Sequence, residues 1–252
     1  MTPTELQEHI YKTYLWLRGG LCGLAFVFPP LLLGIGLWKG IPLQDSMSDY
    51  YFAFAPPNSE LRVFPGRVVF VGILFVLGFF LILYRGFSKT ENWALNIAGL
   101  SALLVALFPT QTPTYCSNCG IDRFSFVHGT AAVVLFVCVA FDAWACTEET
   151  LVQLPNDVRR YFRIGYDALA AAMIVAPVAV IVMTYIFGVS DKKIFFVEWI
   201  GIVTFSAYWG LKTYELSLSQ AEKRAMMGQL PPIREVPLEK PSLRKRASRL
   251  LG

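Results

Sequence analysis

Six stretches of this chain stay apolar for roughly 15 to 24 residues at a time, with charges confined to their edges, and that pattern dictates the fold class. They run Leu15–Trp38, Val68–Tyr84, Trp93–Phe108, Phe126–Cys146, Tyr166–Phe187 and Phe195–Leu211. A helix rises about 1.5 Å per residue and the hydrocarbon core of a bilayer is about 30 Å thick, so each stretch has the length of a crossing. The third is the shortest and is interrupted by Asn96. Only 16% of the residues are charged, against about a quarter in a soluble domain. The expected fold is all-α: a polytopic membrane helix bundle of six transmembrane helices with an N-terminal interfacial helix.

Thr4 with Gln7 reads as a capping box opening that lead-in. Leu6, Ile10, Tyr14 and Leu17 then share one face. The first block is too long for the core of a cleavable signal peptide and no small-residue cleavage site accompanies it, so none is expected. "FPP" at residues 28–30 predicts a kink in the first span. Six crossings put both termini on one side. That side holds 16 of the 22 lysines and arginines, against Lys39, Arg62, Arg67, Arg123, Lys192 and Lys193 on the other. The termini are therefore expected in the cytoplasm and the chain in a plasma (inner) membrane. A transmembrane domain, 1–216, is followed by a proline-rich basic tail, 217–252, whose cluster Arg244–Arg249 suits an anionic inner leaflet. The net charge of +4 is thus a membrane signature. Membrane lipids are the expected partners, and no nucleic acid.

Ionisable groups inside spans are expensive, so their depth carries the functional signal. Two layers emerge. The outer one joins "DSMSDYYF", Asp45–Phe52, to Arg67, His128 and Glu198. Ser48, Asp49, Arg67, His128 and Glu198 are the candidate ligand-binding set, a shallow pocket between helix ends for a lipid, a quinone or a partner helix. The plainer reading pairs Asp49 with Arg67 and leaves His128 as a satisfied interfacial histidine. The loop between Lys39 and Arg67 is too long for a simple connection. Its aromatic residues hold it at headgroup depth, folded back on the helix ends. The inner layer contains Asn96, Asp142, Arg163, Asp167 and Lys212. There Asp142 and Asp167 are expected to meet Arg163 or Lys212 as packing ion pairs. Only Ser101, Cys138 and Thr204 lie at mid-depth between the layers, thin provision for an ion path.

"CSNCGIDRFSFVH" sets Cys116 and Cys119 in the second outer loop, ahead of His128. A disulfide suits an oxidising outside. A zinc site with His128 and Asp122 has tolerable spacing but only one Cys pair. A redox pair needs a second Cys-x-x-Cys, which Cys22, Cys138 and Cys146, scattered through spans, do not supply. No P-loop, dinucleotide fingerprint, G-x-S-x-G or H-E-x-x-H is present, so no organic cofactor is indicated.

"SMSDYY", "RVVFVGILFVLGFFLILYRGF", "LNIAGLSALLVALFPT" and "FVHGTAAVVLF" together resemble an uncharacterised family of bacterial multi-pass inner-membrane proteins over residues 46–135. A more distant similarity is to the membrane hydrolase superfamily of alkaline ceramidases and progestin and adipoQ receptors. That resemblance implies a Ser, an Asp and three His around zinc, and Ser48, Asp49 and His128 match part of the set. This chain has only His9 and His128, so a three-histidine site is excluded by count. A mixed metal site of Asp49, His128 and Glu198 is what the similarity leaves. Three functions compete: a binding protein with an outer-face pocket, an outer-leaflet lipid hydrolase using Ser48, Asp49 and His128, and a small transporter. Glycine-rich helix faces allow a homodimer or a place in a membrane complex.

Overall fold

A computed structural model describes residues 2–51, 65–108, 122–188 and 192–228. The chain is all-helical, with no strand among the described residues. The long helices are α1 (Pro3–Trp38), α2 (Pro65–Leu83), α3 (Lys89–Leu107), α4 (Asp122–Phe141), α6 (Asn156–Ile181) and α7 (Lys193–Ser219). All six are long and apolar enough to cross a membrane. Short α5 (Glu148–Leu151) and α8 (Ala221–Met226) complete the set. α4 and α6 each end in a π-helical turn, Asp142–Cys146 and Val182–Ile186.

The lead-in and the first span are one continuous helix of 36 residues, and Pro29 and Pro30 sit inside it without ending it. Its capping box is Thr2 with Glu5 rather than Thr4 with Gln7. The Glu5 amide donates to Thr2 Oγ1 at 3.3 Å and the Thr2 amide to Glu5 Oε2 at 2.7 Å. Pro3, which has no amide hydrogen to satisfy, takes the first helical position.

Each long helix packs on its chain neighbours, and α7 closes back on α1, so the six form a ring. The tightest crossing joins α2 to α3 at Gly78 and Gly99. A Cβ at Gly99 would lie 2.5 Å from the Gly78 carbonyl oxygen. At the seam that closes the ring, Ser206 Oγ of α7 donates to the Cys22 carbonyl of α1 at 2.8 Å. α7 runs on to Ser219, and α8 packs on α1 with Ala221 buried.

The outer surface of the ring is apolar, with Val68, Val76, Phe79, Leu100, Val175, Val178 and Ile200 all exposed. Large aromatic residues crowd its two ends. Trp16, Trp93, Tyr161 and Tyr214 are exposed at the end that bears the termini of the described chain, Thr2 and Gly228; Trp38, Phe126, Phe187 and Phe196 are exposed at the other. Aromatic rings of this kind sit at the two bilayer interfaces. Trp16 and Trp38 on α1 are about 33 Å apart along the helix, close to the roughly 30 Å of the hydrocarbon core.

Candidate functional site

The end away from the termini holds the five residues that the sequence singles out. Ser48–Tyr51 forms a single 3₁₀ turn that packs on the start of α2. Its anchor is Tyr50, 1% exposed, whose ring lies against Gly36 and whose backbone lies against Gly66. Cβ atoms there would come within 2.7 Å and 2.6 Å of it, so both positions need glycine. Burial pushes the Tyr50 phenol above its usual range. Glu198 Oε2 on α7 accepts from the Met47 amide at 2.6 Å, and the Phe195 amide donates to the Asp45 carbonyl at 2.9 Å. The hydroxyls of Ser46 and Ser48 meet at 2.6 Å. Arg67 Nε donates to the Tyr51 carbonyl at 2.9 Å, with its guanidinium 4.4 Å from the Tyr51 ring centroid. His128 Nδ1 meets the Phe108 carbonyl at 2.7 Å and its ring stacks on Phe70. Asp49 is half-buried, within electrostatic reach of Glu198.

The stretch from Asp45 to Tyr51 is thus fastened to the ends of α2 and α7, largely through main-chain groups. Removing the Glu198 carboxylate strands the Met47 amide. Glu198→Ala is expected to lower stability by about 1–3 kcal/mol and Glu198→Gln, which keeps an acceptor, by less. Thermal unfolding in detergent measures both. Among the described residues no three His, Cys, Asp or Glu side chains are grouped to hold a metal ion, Asp49, His128 and Glu198 included. Cys116 and Cys119 lie outside the described residues, as does the Asp122 side chain; Cys22, Cys138 and Cys146 are not joined in disulfides.

The larger concentration of buried charge is at the end that bears the termini. Arg18 of α1, Glu91 of α3, Asp142 of α4, and Lys212 and Glu215 of α7 are each 2% exposed or less. Four of the six membrane helices contribute. Glu91 gets there because the α2–α3 turn wraps over it. The Phe87 amide donates to Glu91 Oε2 at 2.6 Å, and Gly86 leaves the space, since a Cβ there would be 2.4 Å from Glu91 Cδ. Asp142 opens the π turn, a local widening of the helix that re-aims its side chain. Tyr208 donates its hydroxyl hydrogen to Asp142 Oδ2. Tyr166 donates to Glu215 Oε2 at 2.7 Å. Lys212 Nζ donates to Thr150 Oγ1 at 3.0 Å and lies 3.9 Å from Glu215 Oε2. Tyr84 and Trp209, edge to face at 5.1 Å, wall the cluster beside the Arg18 guanidinium.

Of the expected inner pairings, Lys212 and Asp142 are brought into this cluster, whereas Arg163 pairs with Glu148 and Asp167 is exposed. Glu91, Glu215, Tyr166 and Tyr208 are additional. A signal for part of this exists in the sequence. Tyr208, Lys212 and Glu215 fall at i, i+4 and i+7, one polar stripe on an otherwise apolar helix. A comparison with family models, with curated proteins and with solved structures finds no match for this chain. The chemistry of the cluster therefore rests on its own geometry.

Proposed function

We propose that this integral membrane protein is a binding protein whose working centre is the buried cluster at the termini end. It takes up and releases one positively charged species there, a proton or a small monovalent cation. The observation that carries this reading is an imbalance. Among the described residues, three carboxylates, Glu91, Asp142 and Glu215, share the volume with two cations, Arg18 and Lys212. One oxygen on each of Asp142 and Glu215 has no hydrogen-bond partner among the described residues. A buried charge left uncompensated costs several kcal/mol, and a purely structural network is favourable only when every member is satisfied. One added positive charge restores neutrality.

The positive-inside distribution supports a cytoplasmic orientation for this end, in an inner membrane. The main-chain contacts of Glu198, Arg67 and His128 support a fastening role for the outer layer over a lipid or quinone pocket. A hydrolase there would need Ser48 and His128 as nucleophile and base. Ser48 instead meets Ser46, and His128 Nδ1 meets a carbonyl. Passage across the membrane is less well supported than binding. Glu198 and Tyr208 are about 15 Å apart along α7, with Gly201 and buried Phe205 on the face between them.

The test is uptake of charge by the protein in nanodiscs of zwitterionic lipid. Sodium, potassium and acid are titrated in turn, with calorimetry and melting temperature as readouts. One equivalent of sodium, potassium or proton is expected to bind and raise the melting temperature, with Glu215→Gln weakening the response. No uptake of any of the three would count decisively against the reading.

A further inference from the structure

We infer that the bound species is a proton and that Asp142 holds it, as a carboxylic acid in exchange with water on the cytoplasmic side. This rests on the cluster being a site for positive charge, and it names the ligand and the residue. The three carboxylates are unequally supported. Glu215, which also has one oxygen unpartnered among the described residues, lies beside the Lys212 ammonium and accepts from Tyr166. Glu91 accepts from the Phe87 amide beneath its turn. Asp142, 0% exposed, has the Tyr208 hydroxyl on one oxygen, while its other oxygen has no hydrogen-bond partner among the described residues.

The titratable groups facing Asp142 come from three other helices and its own. Glu91 of α3 faces it with like charge, and Lys212 of α7 with opposite charge. Tyr208 of α7 bonds it, Cys146 of its own π turn lies beside it, and Tyr166 of α6 is within electrostatic reach. Lys212 is divided between Asp142 and the nearer Glu215. That leaves Asp142 with only a shared claim on a cation and with one oxygen unpartnered among the described residues. The surroundings also favour a proton over a metal. Among the described residues no three His, Cys, Asp or Glu side chains are grouped to hold a metal ion. A hard cation needs several oxygen ligands. A proton needs one.

Access is short. Trp144, two residues on in the same π turn, is exposed, and Asp142 is about 3 Å from it along the axis. In the uptake step hydronium in the cytoplasmic water transfers its proton to Asp142 Oδ1, giving a neutral acid and water; release is the reverse, and no other reactant takes part.

Infrared difference spectroscopy on the reconstituted protein reads this directly. At neutral pH the wild-type protein should show a protonated-carboxyl C=O band that shifts in D₂O and disappears as the pH is raised. Asp142→Asn should lack the band, and its melting temperature should lose most of the wild-type fall with rising pH. A wild-type protein without such a band overturns the inference. So does a band removed by Glu91→Gln or Glu215→Gln and left intact by Asp142→Asn. Because the wild-type band and its isotope shift need no variant, a failure of Asp142→Asn to fold does not remove the test. If calorimetry finds sodium or potassium uptake with no band, the proton assignment falls while the cation reading stands.

Discussion

Lys212→Met is expected to destabilise the protein by about 3–5 kcal/mol. The side chains are similar in length, so little packing is lost, and the loss of the hydrogen bond to Thr150 accounts for only about 1 kcal/mol. The rest comes from stranding charge. Among the described residues Arg18 would be the remaining cation beside the buried carboxylates of Glu91 and Glu215, the latter 3.9 Å from the vacated ammonium position. A second substitution separates the two contributions. Adding Glu215→Gln removes the stranded partner and keeps an acceptor for Tyr166, so the double variant should recover most of the loss. Equilibrium unfolding in mixed micelles measures all three proteins. A loss below about 1 kcal/mol for Lys212→Met would mean that its ammonium neutralises nothing.

Gly99→Ala is expected to cost about 3 kcal/mol, for a different reason. The new methyl group would stand 2.5 Å from the Gly78 carbonyl oxygen, 2.7 Å from Ile82 Cγ1 and 3.1 Å from the Ile82 nitrogen. Two of those three atoms are backbone and cannot turn aside, so α2 and α3 must separate. Without a hydrophobic effect between helices in lipid, close packing of this kind is a main source of association, and a separation forfeits it along the whole crossing. Gly72→Ala on the same helix pair is the control. Its Cβ meets nothing within 4 Å, and its melting temperature should stay near that of the wild type.

The helices were legible in the sequence because each is a local property. An apolar run of crossing length needs no partner to be recognised, and even the weak third run, with Asn96, is a full helix. Their ends were less so. α7 passes the last apolar residue of its block and continues to Ser219, because Lys212 and Glu215 are buried by the ring rather than exposed as their charge implies. The two layers of polar residues were also visible, but not what they touch. Glu198 reaches a main-chain amide 151 residues away, which no local pattern encodes. Glu91 reads as an ordinary acidic first turn of a helix, stabilised by the dipole. Only the fold of Gly86 and Phe87 over it reveals that it is enclosed. The π turn at Asp142 likewise has no signature in "DAWAC"; it follows from how α4 meets its neighbours.

The closed ring also sets an order on biogenesis. α7 is the last of the long helices to be synthesised, and it supplies Tyr208, Lys212 and Glu215 together while sealing the seam against α1. Until it enters the bilayer, the nascent chain carries Glu91 and Asp142 with neither the hydroxyl nor the ammonium that they face in the finished protein. The inserted intermediate is therefore an open, five-membered horseshoe in which Asp142 lacks its α7 partners. Arrival of α7 therefore closes the seam and brings the phenol and the ammonium to the buried acids in a single step.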